Sequence, residues 1–332
     1  MVKCNEKDIR ECDMSSITQS KKYSVALIGL GNAGYGRYLS KKEGQVLDHY
    51  SAIRNEKSLD LVICVDKQRV SELSEPYAVD VGLLSSLNVD LLVIASTTES
   101  HLHLIESFLE HNSARMLLIE KPGTGSLKEI LELKSILSKY PETQTWLNYH
   151  RNYNMNFFKM LSDRLLGNLQ CGTVHYSNGA LNNASHALAL LSQIIKFSSN
   201  VKVIGKSGKA KVADYDFVLQ STEGKNIAFL ATNEDVFSNF RIELDFEYGV
   251  VFYDSAKGEI QTRMRTEDLD FKNRYNLEPN GRIVQTNEQK SFEFVYNFLV
   301  AKLEEKQVDH ALGIDLNSAI EIHKIFESIK ID

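Results

Sequence analysis

Three polar side chains stand in apolar settings that suit acid–base chemistry. Lys121 lies between Glu120 and Pro122 and directly follows an apolar run typical of a buried strand. His186 begins an apolar helical stretch, and Asn182 lies four residues earlier, one helical turn away on the same face. A histidine exchanges protons near neutral pH, and a lysine amine stabilises negative charge that develops on oxygen. We predict that Lys121, Asn182 and His186 are catalytic; the alternatives are a surface lysine before a turn and a satisfied core histidine.

A glycine-rich turn earlier in the chain predicts a second kind of site. The spacing Gly-x-Gly-x-x-Gly follows the apolar run 25–28 and precedes a predicted helix. Its first glycine permits a tight turn, its second lets the backbone approach a pyrophosphate, and its third lets the helix pack on the strand. The helix N-terminus then faces the phosphates with free N–H groups and its positive dipole end. The predicted contacts of this turn with a dinucleotide are Gly29, Gly31, Asn32, Ala33 and Gly34.

An acidic residue at the end of the second predicted strand supports the dinucleotide. Asp66 ends the apolar run 61–65 and lies 32 positions past Gly34, where about 20 is usual. A carboxylate here binds the ribose hydroxyls and repels a 2′-phosphate, which favours NAD over NADP. Lys67 follows directly and would soften that preference. The alternative is that Asp66 only caps a turn.

The elements that must position these residues alternate between strand and helix in the first half of the chain. Short apolar strands separated by helices predict right-handed βαβ units and a parallel sheet. The predicted strands are Tyr23–Ile28, Leu59–Val65, Asp90–Ala95, Arg115–Ile119 and Thr143–Leu147. The predicted helices are Ala33–Ile53, interrupted near Gly44, then His101–His111 and Ser126–Lys139.

The second half of the chain changes character. Consecutive strand-like stretches with little helix between them predict a large, mostly antiparallel sheet. They are Val201–Ile204, Asp216–Gln220, Ile227–Ala231, Phe240–Phe246, Val250–Tyr253 and Glu259–Arg263, with helices at His186–Ile195, Lys290–Lys306 and Leu316–Ile329. The fold class is therefore α/β. We expect a polar extension over 1–22, a Rossmann dinucleotide-binding domain over 23–148 and a substrate-binding and oligomerisation domain over 149–332.

Taken together, these motifs resemble the glucose–fructose oxidoreductase/inositol dehydrogenase (Gfo/Idh/MocA) family. The resemblance rests on the glycine turn, Asp66, Glu120-Lys121-Pro122 and Asn182-x-x-x-His186, and it spans both predicted domains. It implies a Rossmann domain joined to an α/β domain whose open sheet mediates homodimer or homotetramer contacts. It also implies oxidation or reduction of a sugar or cyclitol carbon with NAD, or with NADP.

The resemblance assigns roles residue by residue. Lys121 would lie near the nicotinamide and the reacting hydroxyl, and His186 would be the general base of oxidation or the acid of reduction. Asn182 stands where many members have aspartate, so it orients a partner but cannot relay a proton; members that act on nucleotide-linked sugars share this feature. The stretch after Asp66 is short for the family, so one Rossmann helix is expected to be missing or shrunken. Further implied cofactor contacts are Ser96, Thr97, His101, Glu120 and Lys121; implied substrate contacts are Lys121, Asn148, Arg151, Asn182, Asn183 and His186.

Composition excludes other classes of function. The chain of 332 residues has a formal net charge of −6 and no basic stripe, which argues against a nucleic-acid partner. It has neither an apolar stretch of the ~18 residues that a membrane span needs nor a signal-peptide core. Its four cysteines show no Cys-x-x-Cys spacing, which favours a reducing, cytoplasmic setting. His101-x-His103 lacks convergent partners, so we predict no metal site.

The sequence therefore predicts an NAD-dependent enzyme that moves hydride between nicotinamide and a ring carbon of a sugar, most specifically a nucleotide-linked sugar. One alternative is an imine or enal reductase of the same fold, which would tolerate loss of His186 better. The other is a regulator that senses a dinucleotide and binds a partner without turnover. Retention of both Lys121 and His186 argues against that second alternative, whereas the short stretch after Asp66 and the asparagine at position 182 keep it open.

Overall fold

The structure is a computed structural model that describes residues 22–39, 42–161, 164–207, 214–232, 237–308 and 312–329. The predicted extension over 1–22 lies outside the described residues except for Lys22. Within the described part of the chain, no helix is both long enough and apolar enough to cross a membrane.

Strands and helices divide the chain into two sheet-based halves. The strands are β1 (Tyr23–Ile28), β2 (Leu59–Val65), β3 (Tyr77–Ala78), β4 (Asn88–Ile94), β5 (Ser113–Glu120), β6 (Gln144–Asn148), β7 (Leu169–Tyr176), β8 (Phe197–Ser207), β9 (Asp214–Ser221), β10 (Asn226–Ala231), β11 (Phe240–Phe246), β12 (Gly249–Asp254), β13 (Glu259–Glu267), β14 (Tyr275–Leu277), β15 (Arg282–Gln285) and β16 (Ile314–Asp315). The longer helices are α1 (His49–Asn55), α2 (His101–His111), α3 (Leu127–Leu137), α4 (Met155–Leu161), α5 (Ser185–Ser192), α6 (Ser291–Leu303) and α7 (Leu316–Ile329).

The first sheet is the parallel Rossmann sheet that the sequence predicts. Its strand order is β16-β6-β5-β4-β1-β2-β3, and only β16 runs antiparallel to its neighbour. The central strands are continuous apolar runs because helices cover both faces of the sheet. Leu91, Leu92, Val93 and Ile94 of β4, for example, are all 0% exposed.

The register of this sheet brings the candidate residues to one edge. Ile28 pairs with Ile94, and Ile94 pairs with Ile119, so three parallel strands end side by side. Glu120 and Asn148 are paired in the same way at the ends of β5 and β6. Ligands bind outside the carboxyl ends of such strands, at the point where the strand order reverses. Here the order reverses between β1 and β4.

The first predicted helix is broken. Among the described residues between β1 and α1, which omit 40 and 41, helical structure is confined to one π-helical turn, Asn32–Gly36, and a helix forms again at α1. Glycines at 34, 36 and 44 disfavour a continuous helix. Asp48 then starts α1 as its N-cap, accepting hydrogen bonds from the Ser51 backbone N–H at 2.7 Å and the Ser51 hydroxyl at 2.8 Å.

A Rossmann helix is also missing between β2 and β4, where every residue is described. The connection contains only the short edge strand β3 and a 3₁₀ turn over Val81–Leu83. The expectation of a missing or shrunken helix is therefore confirmed. At the β2 edge of the sheet, this connection therefore supplies a short strand and a 3₁₀ turn in place of an α-helix.

The second sheet is large and mostly antiparallel, as predicted. Its order is β14-β13-β12-β11-β7-β10-β9-β8, with β15 paired to β13. Its central strand β7 was not predicted, because Gln170, Gly172 and His175 interrupt the apolar alternation. β7 pairs in parallel with β10 and antiparallel with β11, so its position depends on partners far along the chain.

The last part of the chain returns to the first domain. α6 contributes Phe292, Val295, Tyr296 and Phe298 to the same buried cluster as β1, α1 and β4. β16 adds an edge strand beside β6. The predicted boundary places all of 149–332 in the second domain, whereas the structure packs these two elements on the Rossmann sheet.

Candidate active site

A cavity of 490 Å³ opens at the carboxyl edge of the parallel sheet. It lies at the reversal between β1 and β4, where the glycine turn predicts a dinucleotide. Seven of the predicted cofactor contacts line it: Gly29, Gly31, Asn32, Ala33, Asp66, Ser96 and Thr97. Three further residues that were not predicted as cofactor contacts line the same cavity: Asp80, Ser100 and His103. No local signal distinguishes them, because their shared wall exists only once α2 packs beside the sheet.

The glycines of the turn have different structural roles. A Cβ added to Gly34 would lie 2.0 Å from the Gly29 carbonyl oxygen, so Gly34 serves the packing of the turn on the strand. Gly29 has φ +95°, and a Cβ added to it would lie 2.4 Å from the Ser96 backbone nitrogen. A Cβ on Gly31 would meet no protein atom within 4 Å. The space beside Gly31 is therefore open toward a ligand, and the turn fits the backbone approach that a pyrophosphate requires.

Asp66 lies at the cavity with its carboxylate held in place. Oδ2 accepts a hydrogen bond from the Leu30 backbone N–H at 2.7 Å, and Oδ1 accepts one from Gln68 at 2.9 Å. Each carboxylate oxygen can accept a further bond, so the ribose hydroxyls of a dinucleotide remain suitable partners. The helix that follows the turn is a single turn long and carries little macrodipole, so the backbone and Asp66 must do most of the binding.

His101 is placed behind the cavity wall rather than on it. It is 0% exposed, and its two ring nitrogens lie 2.8 Å from Gly123 O and 3.0 Å from Ser96 O. The ring therefore ties the loop after β4 to the loop after β5. Direct contact of His101 with a cofactor stays a prediction that this burial does not favour.

Lys121 and Asn182 meet at the junction of the two domains. The Lys121 amine donates hydrogen bonds to the side-chain oxygen of Asn182 and, at 3.1 Å, to its backbone carbonyl. The Asn182 amide nitrogen donates to Asn178 O at 3.1 Å, which orients the side chain. Asn182 thus holds Lys121, and among the described contacts no hydrogen bond joins it to His186.

Glu120, which precedes Lys121 in the chain, is an ionised group whose side chain is 12% exposed. His49 Nε2 and Asn148 Nδ2 both donate to its Oε1, at 3.0 and 2.6 Å. Burial alone would raise the pKa of Glu120, but the hydrogen bonds of His49 and Asn148 and the charge of Lys121 outweigh it and lower the pKa to about 2. Burial, with the charges of Arg151 and Arg37, lowers the pKa of the Lys121 amine, and Glu120 opposes that change.

His186 lies on α5 within electrostatic range of Lys121. It is 2% exposed, and its Nδ1 has no hydrogen-bond partner among the described residues. Its ring packs edge-on against Tyr149 at 5.4 Å and His150 at 4.9 Å. Burial, then the charges of Arg151, His150 and Lys121, hold the pKa of His186 well below its ordinary value. A neutral imidazole is the form that accepts a proton.

The remaining predicted substrate contacts differ in accessibility. Asn148 is 0% exposed, with its amide committed to Glu120. Arg151 lies 4.2 Å over the Phe240 ring and donates to Ser255 at 3.4 Å, and the Ser255 hydroxyl contacts Glu288 at 2.8 Å.

Asn183 donates to Ser177 O at 2.8 Å and is half-buried. His150 was not predicted as a site residue, although it stands between Asn148 and Arg151 and packs on His186.

This arrangement is suited to proton transfer beside a dinucleotide cavity. A cationic amine, an amide and a neutral imidazole converge one strand away from the cavity, at the end of β5. The amine can stabilise negative charge on a substrate oxygen, and the imidazole can take or return its proton. When bound, a nicotinamide supplies the hydride chemistry that such a site needs.

Comparison with known proteins agrees with this geometry. Residues 23–148 match the model of the GFO_IDH_MocA oxidoreductase family, described as an NAD-binding Rossmann fold. Among curated proteins, none matches the sequence significantly.

Solved structures share the fold over most of the chain. The putative oxidoreductase yvaA from Bacillus subtilis has TM-score 0.70 and 12% identity, covering 93% of this chain and 95% of that one. The UDP-N-acetylglucosamine 3-dehydrogenase GnnA from Acidithiobacillus ferrooxidans has TM-score 0.66 and 12% identity, covering 93% and 96%. KijD10, a 3-ketoreductase from Actinomadura kijaniata in complex with NADP and TDP-benzene, has TM-score 0.69 and 10% identity, covering 93% and 97%.

Identities this low show that the fold is shared, and they carry no information about the substrate. The match over the first domain confirms the family resemblance that the glycine turn and Glu120-Lys121-Pro122 indicated. Residues 23–148 therefore match the NAD-binding Rossmann domain of the Gfo/Idh/MocA oxidoreductase family, and the chain as a whole shares the fold of the solved structures.

Proposed function

We propose that this protein transfers hydride between NAD and a ring carbon of a sugar, and that the sugar is linked to a nucleotide. One observation carries the proposal: the Lys121 amine meets Asn182 beside the neutral His186, at the sheet edge that bears the dinucleotide cavity. Two similar folds support the substrate class, since one is named a UDP-N-acetylglucosamine 3-dehydrogenase and the other binds TDP-benzene and NADP.

In the oxidation direction, the proton and the hydride leave the same substrate carbinol. His186 accepts the hydroxyl proton, and the hydrogen on carbon departs as hydride, so that a carbonyl forms. Lys121 stabilises the negative charge that develops on the oxygen, and Asn182 fixes the position of the amine. In reduction, His186 returns the proton. Positioning and electrostatics of this kind supply several kcal/mol of barrier reduction.

NAD is the cofactor that we propose, with NADP as the alternative. Asp66 and Asp80 both line the cavity, and two carboxylates oppose a 2′-phosphate. Lys67 lines it as well and offsets part of that repulsion. A homodimer or homotetramer formed through the second sheet stays a prediction.

Single-turnover nicotinamide absorbance tests the proposal. Protein loaded with NAD or NADP would be mixed with nucleotide sugars and free sugars, in parallel with Lys121→Ala. We expect one substrate class to reduce the nicotinamide, and Lys121→Ala to slow that step at least ~100-fold with cofactor affinity retained. Lys128→Ala, an exposed lysine on α3, is the matched control and should leave the rate unchanged. A Lys121→Ala rate equal to that of the control would remove Lys121 from the mechanism.

A regulator without turnover is the second candidate, and one structural observation favours it. Between β2 and β4, where all residues are described, no α-helix covers the sheet, and the helix after the glycine turn is a single turn. Weak adenine binding would suit a sensor of dinucleotide level. A stable NAD complex that transfers no hydride to any sugar, carbonyl or imine substrate would favour this candidate.

A further inference from the structure

A buried chain of hydrogen bonds ends on the carboxylate behind Lys121. Tyr296 OH lies 2.8 Å from His49 Nδ1, and His49 Nε2 lies 3.0 Å from Glu120 Oε1. Asn148 Nδ2 reaches the same oxygen at 2.6 Å. Three separate elements supply the chain: α1 gives His49, α6 gives Tyr296 and β6 gives Asn148.

The carboxylate fixes the direction of the hydrogen bond that it shares with His49. An ionised carboxylate only accepts, so the proton between His49 and Glu120 is carried by Nε2. His49 Nδ1 faces the Tyr296 hydroxyl, which can both donate and accept a hydrogen bond. Tyr296 thus holds the ring in the orientation that points Nε2 at Glu120, in the way that partners of catalytic histidines orient a ring.

None of the supporting groups can touch a substrate. His49 and Asn148 are 0% exposed and Tyr296 is 1% exposed. The His49 ring is also packed edge-on against Phe292 at 4.9 Å and Tyr296 at 5.8 Å, which limits its rotation. The hydrogen-bonded route from His49 and Tyr296 to the candidate site therefore runs through Glu120 and its neighbour Lys121.

We propose that His49 and Tyr296 are positioning residues, which fix the Glu120 carboxylate next to Lys121 in the chain and so control the charge and placement of the Lys121 amine. Removal of His49 leaves Glu120 with one donor fewer, and a carboxylate without its donor turns toward water. The negative charge next to Lys121 in the chain then loses its fixed position. A purely structural network would join α1, α6 and the sheet without affecting Lys121.

Other charged groups also act on Lys121 and must be considered. Arg151 from the second domain and Arg37 from the turn before α1 favour the neutral amine, and Glu120 favours the charged one. His150 and His186 lie nearby, and burial holds the pKa of each well below its ordinary value. Glu120 is therefore the group whose loss should change Lys121 most.

The pH dependence of Lys121 acetylation tests the proposal without any substrate. Acetic anhydride labelling, quantified by peptide mass spectrometry against Lys128, reports the fraction of neutral amine at each pH. We expect Glu120→Gln to lower the midpoint by at least about 1 pH unit, because an adjacent opposite charge raises an amine pKa by about 1 to 3 units. His49→Leu and Tyr296→Phe should lower it in the same direction, the latter less.

Two further variants separate positioning from folding. The Gln side chain of His49→Gln carries an N–H donor at about the same distance from the backbone as His49 Nε2. This variant should therefore keep most of the wild-type midpoint. Tyr50→Phe is the matched control, because Tyr50 adjoins His49 on α1 and its buried hydroxyl contacts a different carboxylate, Glu75, at 2.9 Å. It should leave the midpoint unchanged.

Each outcome decides the question. Wild-type midpoints in folded His49→Leu and Tyr296→Phe, with a lowered midpoint in Glu120→Gln, would make the two residues structural only. An unchanged midpoint in Glu120→Gln would remove Glu120 as well. The significance for catalysis rests on the proposed role of Lys121, but labelling uses the protein alone, so its failure is distinct from a failure to find hydride transfer.

Discussion

His186 shows how burial sets the charge of a single residue, one that we propose transfers a proton. The ring is 2% exposed and is surrounded by Tyr149, His150 and the charges of Arg151 and Lys121. Desolvation and these cations disfavour imidazolium, so the ring is neutral at physiological pH. Neutrality is what a base of hydroxyl oxidation needs, and it makes the protein's stability depend on pH.

We predict that acidification destabilises the protein through His186. Its pKa is depressed in the folded state, so its contribution is fully present above the unfolded pKa of about 6.5 and is lost as the pH falls below that value. Between about pH 7.5 and 5.5, the loss is about 1.4 kcal/mol for one such histidine. Burial also holds the pKa of His150 well below its ordinary value, so His150 should lower the stability in the same pH range. Urea unfolding at the two pH values should show a smaller difference for His186→Gln, whereas exposed His103→Gln should match wild type. Equal differences in all three would contradict the prediction.

The glycine turn is the element whose local geometry most directly serves binding. Gly34 faces the Gly29 carbonyl, and Gly31 faces open space with φ −66°. Alanine adopts that backbone conformation without strain. Alanine at these two positions should therefore have different consequences: weaker ligand binding at position 31 and lower stability at position 34.

We predict that Gly31→Ala folds normally but binds NAD at least ~10-fold more weakly, since its methyl group occupies the path of the pyrophosphate. Gly34→Ala must push the Gly29 carbonyl away from a 2.0 Å contact, which should cost about 1–3 kcal/mol of stability. Urea unfolding and NAD titration of both variants check this. Normal NAD affinity in Gly31→Ala would place the pyrophosphate elsewhere.

The two halves of the molecule are held together by α6, which crosses back to the first domain. Phe298 is 4% exposed and packs edge-on against Trp146 at 5.0 Å and Tyr153 at 5.1 Å. Trp146 belongs to β6 of the Rossmann sheet, and Tyr153 follows it in the chain. The core of the first domain is therefore completed by α6, which lies about 150 positions after Trp146 in the chain.

We predict that Phe298→Ala destabilises the whole protein by about 3–5 kcal/mol, because it opens a cavity in this shared core. Trp146 is the only tryptophan, so its fluorescence reports the first domain during urea unfolding. Phe271→Ala, at a side chain that is 56% exposed, is the control and should change stability by less than about 0.5 kcal/mol. An unchanged Trp146 transition in Phe298→Ala would show that the first domain is stable without α6.

The sequence by itself determined the elements whose signals are local. The bounds of β1, β2, α2, β11 and α7 agree with those predicted, because apolar periodicity and turn residues within each segment define them. The glycine spacing indicated the dinucleotide turn because steric demands on a backbone are set by the nearest residues. The Rossmann fold of residues 23–148 was recognisable for the same reason.

Tertiary structure alone decided the features that depend on distant partners. The central position of β7 and the return of α6 both follow from packing against segments far along the chain. The pairing of His49 with Glu120 and the orientation of Asn182 toward Lys121 join residues 71 and 61 positions apart. No periodicity records such contacts, because they form only when burial forces each polar group to find a partner.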